Sequence, residues 1–389
     1  MKRLFFLAFL FFAGQSFSQN PVTLSDSARV SLMTVAPGEF LYSTFGHSAI
    51  RVFDPANRLD RCYNYGTFDF DQPNFILKFC RGKLLYFLDI EPYKGFERGN
   101  LADQRAMTEQ SLHLDQEQKQ RLFDLLQENA REENRFYKYD FFYDNCATRI
   151  RDIVEKAFDR PIAWDSSRLA LGTTMRQLLN PNMTTQPWTH FGMNLGLGYA
   201  ADRRALAEDF MFLPHYVHDM FATARINDST MLVGSERHIP GYDFPKTEFK
   251  PGFFGRPLWV MSLVALIGLL SMLHRRAERI FDTLFWFVLG VAGLILALLW
   301  FATDHSSTKT NFNLLWALPT HLLVFWRSHR GTGWVRRYFI VAGALALLTL
   351  VFWKIIPQEM PVAAMPVAFL VAVKGLWKPV WQRLQRRQA

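Results

Sequence analysis

From residue 257 to its end, the chain alternates long apolar runs with short polar loops, which restricts this third of it to a membrane-embedded architecture. The runs lie at about 258–273, 281–302, 312–326, 338–356 and 361–377. The second and fourth are long enough to cross a bilayer as helices, which takes about 20 residues. The first is short, and the third and fifth are marginal. Charge orders them. HRRAER (274–279), RSHRGTGWVRR (327–337) and the tail from Lys374 are basic, whereas TDHSSTKTN (303–311) and PQEMP (357–361) hold one Lys between them. Five crossings that begin outside put every basic loop inside. Removing the third crossing alone would put 327–337 outside, so the sequence predicts five.

Net charge then reads differently from its bare value of +9. Residues 257–389 hold 14 Lys and Arg against 4 Asp and Glu, so the basic excess belongs to the membrane third. That pattern marks cytoplasmic loops rather than a nucleic-acid groove. At the other end, MKRLFFLAFLFFAGQSFSQN has the form of a secretory signal over residues 1–18. Lys2 and Arg3 make the positive start, and Leu4 to Ala13 form an apolar stretch too short to span. No cysteine follows that stretch, so the chain is not itself read as a lipoprotein. Export plus spanning helices predicts an integral protein of the inner (cytoplasmic) membrane, its N-terminal domain on the periplasmic side.

Residues 19–160 read as one unit of mixed strands and helices. FGHSAIRVFD (45–54) and LDRCYNYGTFDF (59–70) have strand composition around the turn-forming Pro55-Ala56-Asn57 and predict a hairpin. A third strand is expected near Lys83–Leu88. Asp115-Gln116-Glu117-Gln118 carries a helix-start signature. A further helix opens at Cys146, with Ile150, Ile153, Val154 and Ala157 at core-facing spacing. Residues 161–256 are expected to be mostly helical, with Arg203–Ala224 the clearest helix, ending in a Pro/Gly-rich connection over 239–257.

The chemistry centres on YDNCATRIRD (143–152). A cysteine at a helix start feels unpaired N–H groups, which favour thiolate and can also receive an oxyanion. It needs a base and proton carrier. His47, in GHSAIRV at the start of the first strand, is the candidate, and Gly46 before it permits close approach of backbone or substrate. Taken singly, a cysteine at a helix start is more often inert packing and a strand-edge histidine more often structural. Their conjunction in an exported chain points to a catalytic pair.

His47 precedes Cys146, the reverse of the papain order. That order resembles the circularly permuted branch of the NlpC/P60 papain-like superfamily, several members of which move acyl chains from phospholipids. STFGHSAIRVFD, CYNYGTFDF, NFILKFCRGKLLYFL, ENRFYKYDFFYDNCATRIRD and the five-run tail more closely resemble the papain-like bacterial lipoprotein N-acyltransferases of the Lnb type. The resemblance implies an α+β, permuted papain-like domain followed by about five transmembrane helices over 257–389. It implies transfer of a fatty acyl chain from a membrane phospholipid donor, through a Cys146 thioester, to the α-amine of a diacylated lipoprotein acceptor. His47 is then the base. Asn64 on the next strand is the candidate for orienting the imidazole, or else simply a strand asparagine near a turn. Asn145, beside the cysteine, is a second candidate for orienting or for holding the oxyanion. No cofactor is implied.

Arg149 is read as a phosphate-headgroup contact or as a solvated or ion-paired arginine. Asp304, His305 and Asn313, with Asn311, gather outside between the second and third runs. They are read as loop, or as facing the soluble domain and lining a lipid entrance. Cys62 and Cys80 are read as a disulfide or as two buried small apolar residues. His215 and His218 have helical spacing, but without a third ligand they are read as core or surface histidines, not a metal site. Two other functions stay open: a membrane-anchored cell-wall peptidase, and a non-catalytic membrane-anchored assembly protein.

Overall fold

A computed structural model of the protein describes residues 22–227, 229–241, 252–328 and 333–388. The signal segment at 1–18, most of the 239–257 connection and part of the basic loop 327–337 lie outside the described residues.

The N-terminal portion runs β1 (Arg29–Val35), β2 (His47–Asp54), β3 (Leu59–Thr67), α1 (Phe75–Cys80), β4 (Leu85–Pro92), α2 (Tyr93–Ala102), β5 (Met107–Leu112), α3 (Gln116–Ala130), β6 (Phe136–Lys138) and α4 (Cys146–Glu155). It continues through α5 (Met175–Leu179), α6 (Pro187–Gly196), α7 (Pro214–Thr223) and β7 (Val233–Ile239). The seven strands form one antiparallel sheet in the order β6-β4-β3-β2-β1-β5-β7. Alternation along the central strands assigns its two faces. Val30, Leu32, Ile50, Val52, Tyr63 and Tyr65 are buried on the face that packs α3, α4 and α7. Met33, Val35, Ala49 and Cys62 pack on the other against Tyr93 and Phe96 of α2. Each such aliphatic side chain, fully buried, contributes about 1.5–3 kcal/mol.

The β2–β3 hairpin, the third strand and the α3 start are where the sequence put them. The Asp115 carboxylate accepts from the Gln118 N–H at 2.8 Å and the Gln118 side chain answers the Asp115 N–H at 3.0 Å, a reciprocal cap. Arg203–Ala224 is not one helix. Pro214 forbids continuity: it lacks an N–H and holds Leu213 extended (φ −102, ψ 131), so only Pro214–Thr223 is α-helical, after a 3₁₀ turn at Glu208–Phe212. The segment expected to be mostly helical also supplies β7, which pairs with β5. Cys62 and Cys80 form no disulfide: Cys62 is buried in the sheet and Cys80 is exposed at the end of α1.

Four helices make up most of the C-terminal portion: α8 (Pro257–Ser271), α9 (Arg275–Phe301), α10 (Gly333–Val351) and α11 (Met365–Gln388). Among the described residues, α9 and α10 alone are long and apolar enough to span; α8 and the apolar part of α11 are shorter. The run at 312–326 does not form a helix. It breaks into 3₁₀ turns at Phe312–Leu315, Pro319–Leu323 and Phe325–Arg327, because Pro319 leaves Leu318 extended (φ −73, ψ 127). These turns lie against α9, where Trp316, Ala317, His321 and Val324 are buried. Small residues bring helices together: a Cβ on Gly343 of α10 would stand 2.9 Å from Cα of Gly375 in α11. Lys374, read as the start of the basic tail, is instead buried, its Nζ 2.6 Å from Asp282 Oδ1.

The two portions are joined by backbone contacts. Gly198 N–H donates to Ser307 O at 2.9 Å, Tyr199 N–H to Thr310 O at 2.9 Å, and the Gln358 amide to Leu197 O at 3.0 Å. Arg176 stabilises this junction from the soluble side. Fully buried, it forks onto Asp202 and also donates to the carbonyls of Asn194, Leu197 and Gly198. The whole is a mixed α+β domain with an antiparallel sheet, followed by a C-terminal membrane domain.

Candidate active site

Cys146 is the first residue of α4, and Asn145 fixes that start. Its Oδ1 accepts from the N–H of Ala147 at 2.8 Å and of Thr148 at 3.0 Å. Its Nδ2 donates to Phe141 O and Phe212 O, both at 2.8 Å. This amide is therefore spent on capping and anchoring, with no donor left for an oxyanion; its role is to position the cysteine. Below the thiol lies Gly66, at φ +87, where an added Cβ would stand 3.5 Å from Cys146 Cβ.

His47 opens β2 after Gly46, whose φ of +82 suits glycine and whose added Cβ would lie 2.8 Å from Val35 O. The β2–β3 pairing runs from Asp54↔Leu59 back to Ile50↔Tyr63. His47 lies three residues before the last of these pairs, and Asn64, one residue past Tyr63, reaches its ring. The backbone N–H groups of Ser48, next to His47, and of Ala147 and Cys146 favour the thiolate form of Cys146. Among the described hydrogen bonds, none joins Sγ to the imidazole directly.

Asn64 does meet the ring. Its Oδ1 lies 3.4 Å from His47 Nε2, and its Nδ2 donates to Glu91 Oε1 at 2.7 Å. Because Glu91 takes the amide nitrogen, the amide oxygen faces the histidine. Nε2 then carries the proton and Nδ1 keeps its lone pair. Burial, then the nearby Arg105 cation, lowers the His47 pKa to about 4, against a smaller raising effect of Asn64. Burial raises the Cys146 thiol above its ordinary value, opposed by the three N–H groups and Arg105. The resting pair is thus a neutral thiol and a neutral imidazole.

Arg105 and Glu91 were not found from the sequence. Arg105 precedes β5, and Val35 of β1 pairs with both His47 and Met107, so Arg105 lies at the same end of the sheet as His47. It is buried. Nε donates to Ala36 O at 2.8 Å and Nη1 to Asn100 Oδ1 at 3.2 Å, while Nη2 is buried with no hydrogen-bond partner. A desolvated guanidinium nitrogen left open is costly, and an anion would satisfy it.

The remaining candidates are engaged with neighbouring residues in this arrangement. Arg149 forks onto Asp144 and stacks over Tyr137 at 3.5 Å, so its charge is occupied. Asp304 and His305 face the soluble domain, as one reading had it: Asp304 pairs with Lys138 at 3.2 Å, and His305 Nε2 lies 3.1 Å from Phe79 O. Asn313 is fully buried, bonded to Leu195 O, Asn311 and Trp316, and presents no face to an entrance. Asn311 likewise fastens Leu195 O and Gly196 O. His218 pairs with Asp219 at 2.8 Å, and His215 stacks on Tyr216. A charged cleft around Arg51, Glu109 and Arg237 lies away from the thiol, its charges neutralised in mutual ion pairs.

Two family models match the chain: one described as the Lnb N-terminal periplasmic domain over residues 20–181, the other as the Lnb transmembrane domain over residues 246–385. No curated protein and no solved structure matches it. The first match contains His47, Asn64, Arg105 and Cys146, and the second contains all four C-terminal helices nearly to their end. The chain belongs to the Lnb-type lipoprotein N-acyltransferase family, and is a membrane protein with a periplasmic region.

Proposed function

We propose that this protein transfers a fatty acyl chain from a membrane phospholipid, through a thioester on Cys146, to the α-amine of a diacylglyceryl-cysteine lipoprotein. The observation that carries this reading is Cys146 at a capped helix start, set against the strand end that bears His47 and joined to a membrane domain. Sγ attacks the ester carbonyl while Nδ1 of His47 takes the thiol proton, since neither group is charged at rest. The Cys146 N–H and Arg105 Nη2 stabilise the oxygen as it gains charge. The tetrahedral adduct expels the lysophospholipid oxygen, which receives the proton from His47. The lipoprotein amine then attacks the thioester, His47 takes its proton, and the thiolate leaves and is reprotonated. Asn64, backed by Glu91, holds the ring through both steps.

The domain fits a permuted papain-like arrangement, with the histidine strand ahead of the cysteine helix. We place the protein in the inner membrane with five passes, the third a string of 3₁₀ turns rather than a helix. The chain ends support this. The segment after α9 and the segment after α10 both contact the soluble domain, through Asp304 and Gln358, so the chain between them must go in and return. Non-helical backbone is tolerable at that depth because it is packed on α9.

Cys146→Ser tests the function. Reporter lipoproteins should lose their third acyl chain by mass spectrometry while the protein level holds. Normal triacylation in that variant refutes the reading, and altered peptidoglycan fragments would instead indicate a cell-wall peptidase.

A further inference from the structure

Among the described residues, nothing covers two apolar segments of the soluble domain. One is the 3₁₀ turn Leu41–Ser43 with the residue before it, where Phe40, Leu41 and Tyr42 are each more than half exposed. The other is α1 with its approach, where Phe70, Ile76 and Leu77 are equally exposed. Contiguous patches of this kind are rare on surfaces that face water.

Both segments belong to the end of the sheet that carries the thiol. The first leads into His47 within a few residues, with Gly46 N–H bonded to Ser43 O at 3.0 Å. The second follows Gly66 at the end of β3. Both also sit at the outer ends of the membrane helices. Beside α1, Asp304 N–H donates to Arg81 O at 2.9 Å, just past the end of α9. Beside the first segment, the Gln186 amide bonds Glu39 O and Thr44 Oγ1 at the start of α6, and Trp188 in α6 donates to Phe254 O, just before α8. Lys78, Arg81 and Lys83 flank the apolar face of α1, the composition of an element lying at a lipid headgroup boundary.

We infer that the 40–42 turn and α1 are immersed in the periplasmic leaflet as two jaws on either side of the thiol, so that the site opens onto lipid rather than water. The immersion stands on the membrane domain alone. That an acyl chain enters between the jaws rests on the function proposed above.

The test uses the full chain in vesicles of phosphatidylethanolamine and phosphatidylglycerol. Cys80→Ser and Cys146→Ser remove the reactive background, Cys62 being buried. Nitroxides are then placed through Leu41→Cys, Ile76→Cys and, on the far hairpin turn, Ala56→Cys. Positions 41 and 76 should relax faster with oxygen than with a water-soluble nickel chelate, and position 56 the reverse. Water-like accessibility at either 41 or 76 overturns the proposal, whatever the enzyme's activity. In the catalytically intact chain, Leu41→Ser with Ile76→Ser should slow transfer from bilayer phospholipid and spare a short-chain phospholipid dispersed in detergent. Equal loss on both donors overturns the entry route, whereas loss of triacylation in Cys146→Ser tests the function separately.

Discussion

The protonation state of the cysteine–histidine pair is the sharpest consequence of the geometry, and alkylation of Cys146 reads it out. Burial holds the thiol above its ordinary value, so at pH 7 the protonated form dominates. With the imidazole pKa near 4, about one ring in a thousand is charged at that pH. Moving the proton from sulfur to ring in the empty site is therefore uphill, because burial disfavours both the thiolate and the imidazolium. On the proposed function, such a transfer would accompany carbonyl attack, as general-base catalysis rather than from a preformed ion pair. The assay follows iodoacetamide modification in a Cys80→Ser background, because Cys80 is exposed and Cys62 is not. The rate should climb about tenfold per pH unit from 6 to 8. A plateau across pH 5 to 8 would mean a stable thiolate–imidazolium pair and refute the argument.

Folding stability should decline as pH falls from 6.5 to about 4, because the unfolded chain binds a proton at His47 that the folded chain refuses. The loss is about 3 kcal/mol, is complete near pH 4, and should be absent from the stability curve of His47→Gln measured by thermal unfolding in detergent. Arg105→Met should lower kcat about a hundredfold in the folded variant, and move Cys146 alkylation to higher pH, since a cation that favours thiolate is gone. Arg149→Met should cost about 1–2 kcal/mol of stability through its Asp144 fork and Tyr137 stack, without raising KM for phospholipid. Lys374→Met removes the cation from a carboxylate buried at 0% exposure and should cost about 3–5 kcal/mol; Lys374→Met with Asp282→Leu should recover most of it, and a double variant as unstable as the single would reject the pairing.

What the sequence disclosed was local. The Asp115–Gln118 cap, the β2–β3 hairpin and the helix opening at Cys146 each follow from residues within one or two turns of one another. Asn64 was reachable because hairpin register carries it toward His47. The broken helix at Pro214 was also locally coded, but the apolar stretch on either side of the proline read as continuous. The 312–326 run has a membrane helix's composition, and composition does not record that Pro319 interrupts the backbone where Gly290 and Gly293 of α9 let it approach.

Arg105 shows why the remainder could not be read. Nothing in DQRAM distinguishes it from any surface arginine. It becomes part of the site only because β1 lies between β2 and β5, so that Val35 has His47 on one side and Met107 on the other. β1 and β5 were not anticipated as strands, and without them no sequence argument places position 105 near position 47. The apolar jaws belong to the same class: as sequence, nothing in FLY (40–42) or NFILKF (74–79) separates a lipid-facing side chain from a buried one. Their meaning comes from lying uncovered at the outer ends of α8 and α9, where a bilayer supplies the missing partner. A catalytic domain that buried these side chains in its own core would carry its thiol away from lipid. Leaving them exposed is intelligible only if the membrane is part of the fold's solvent.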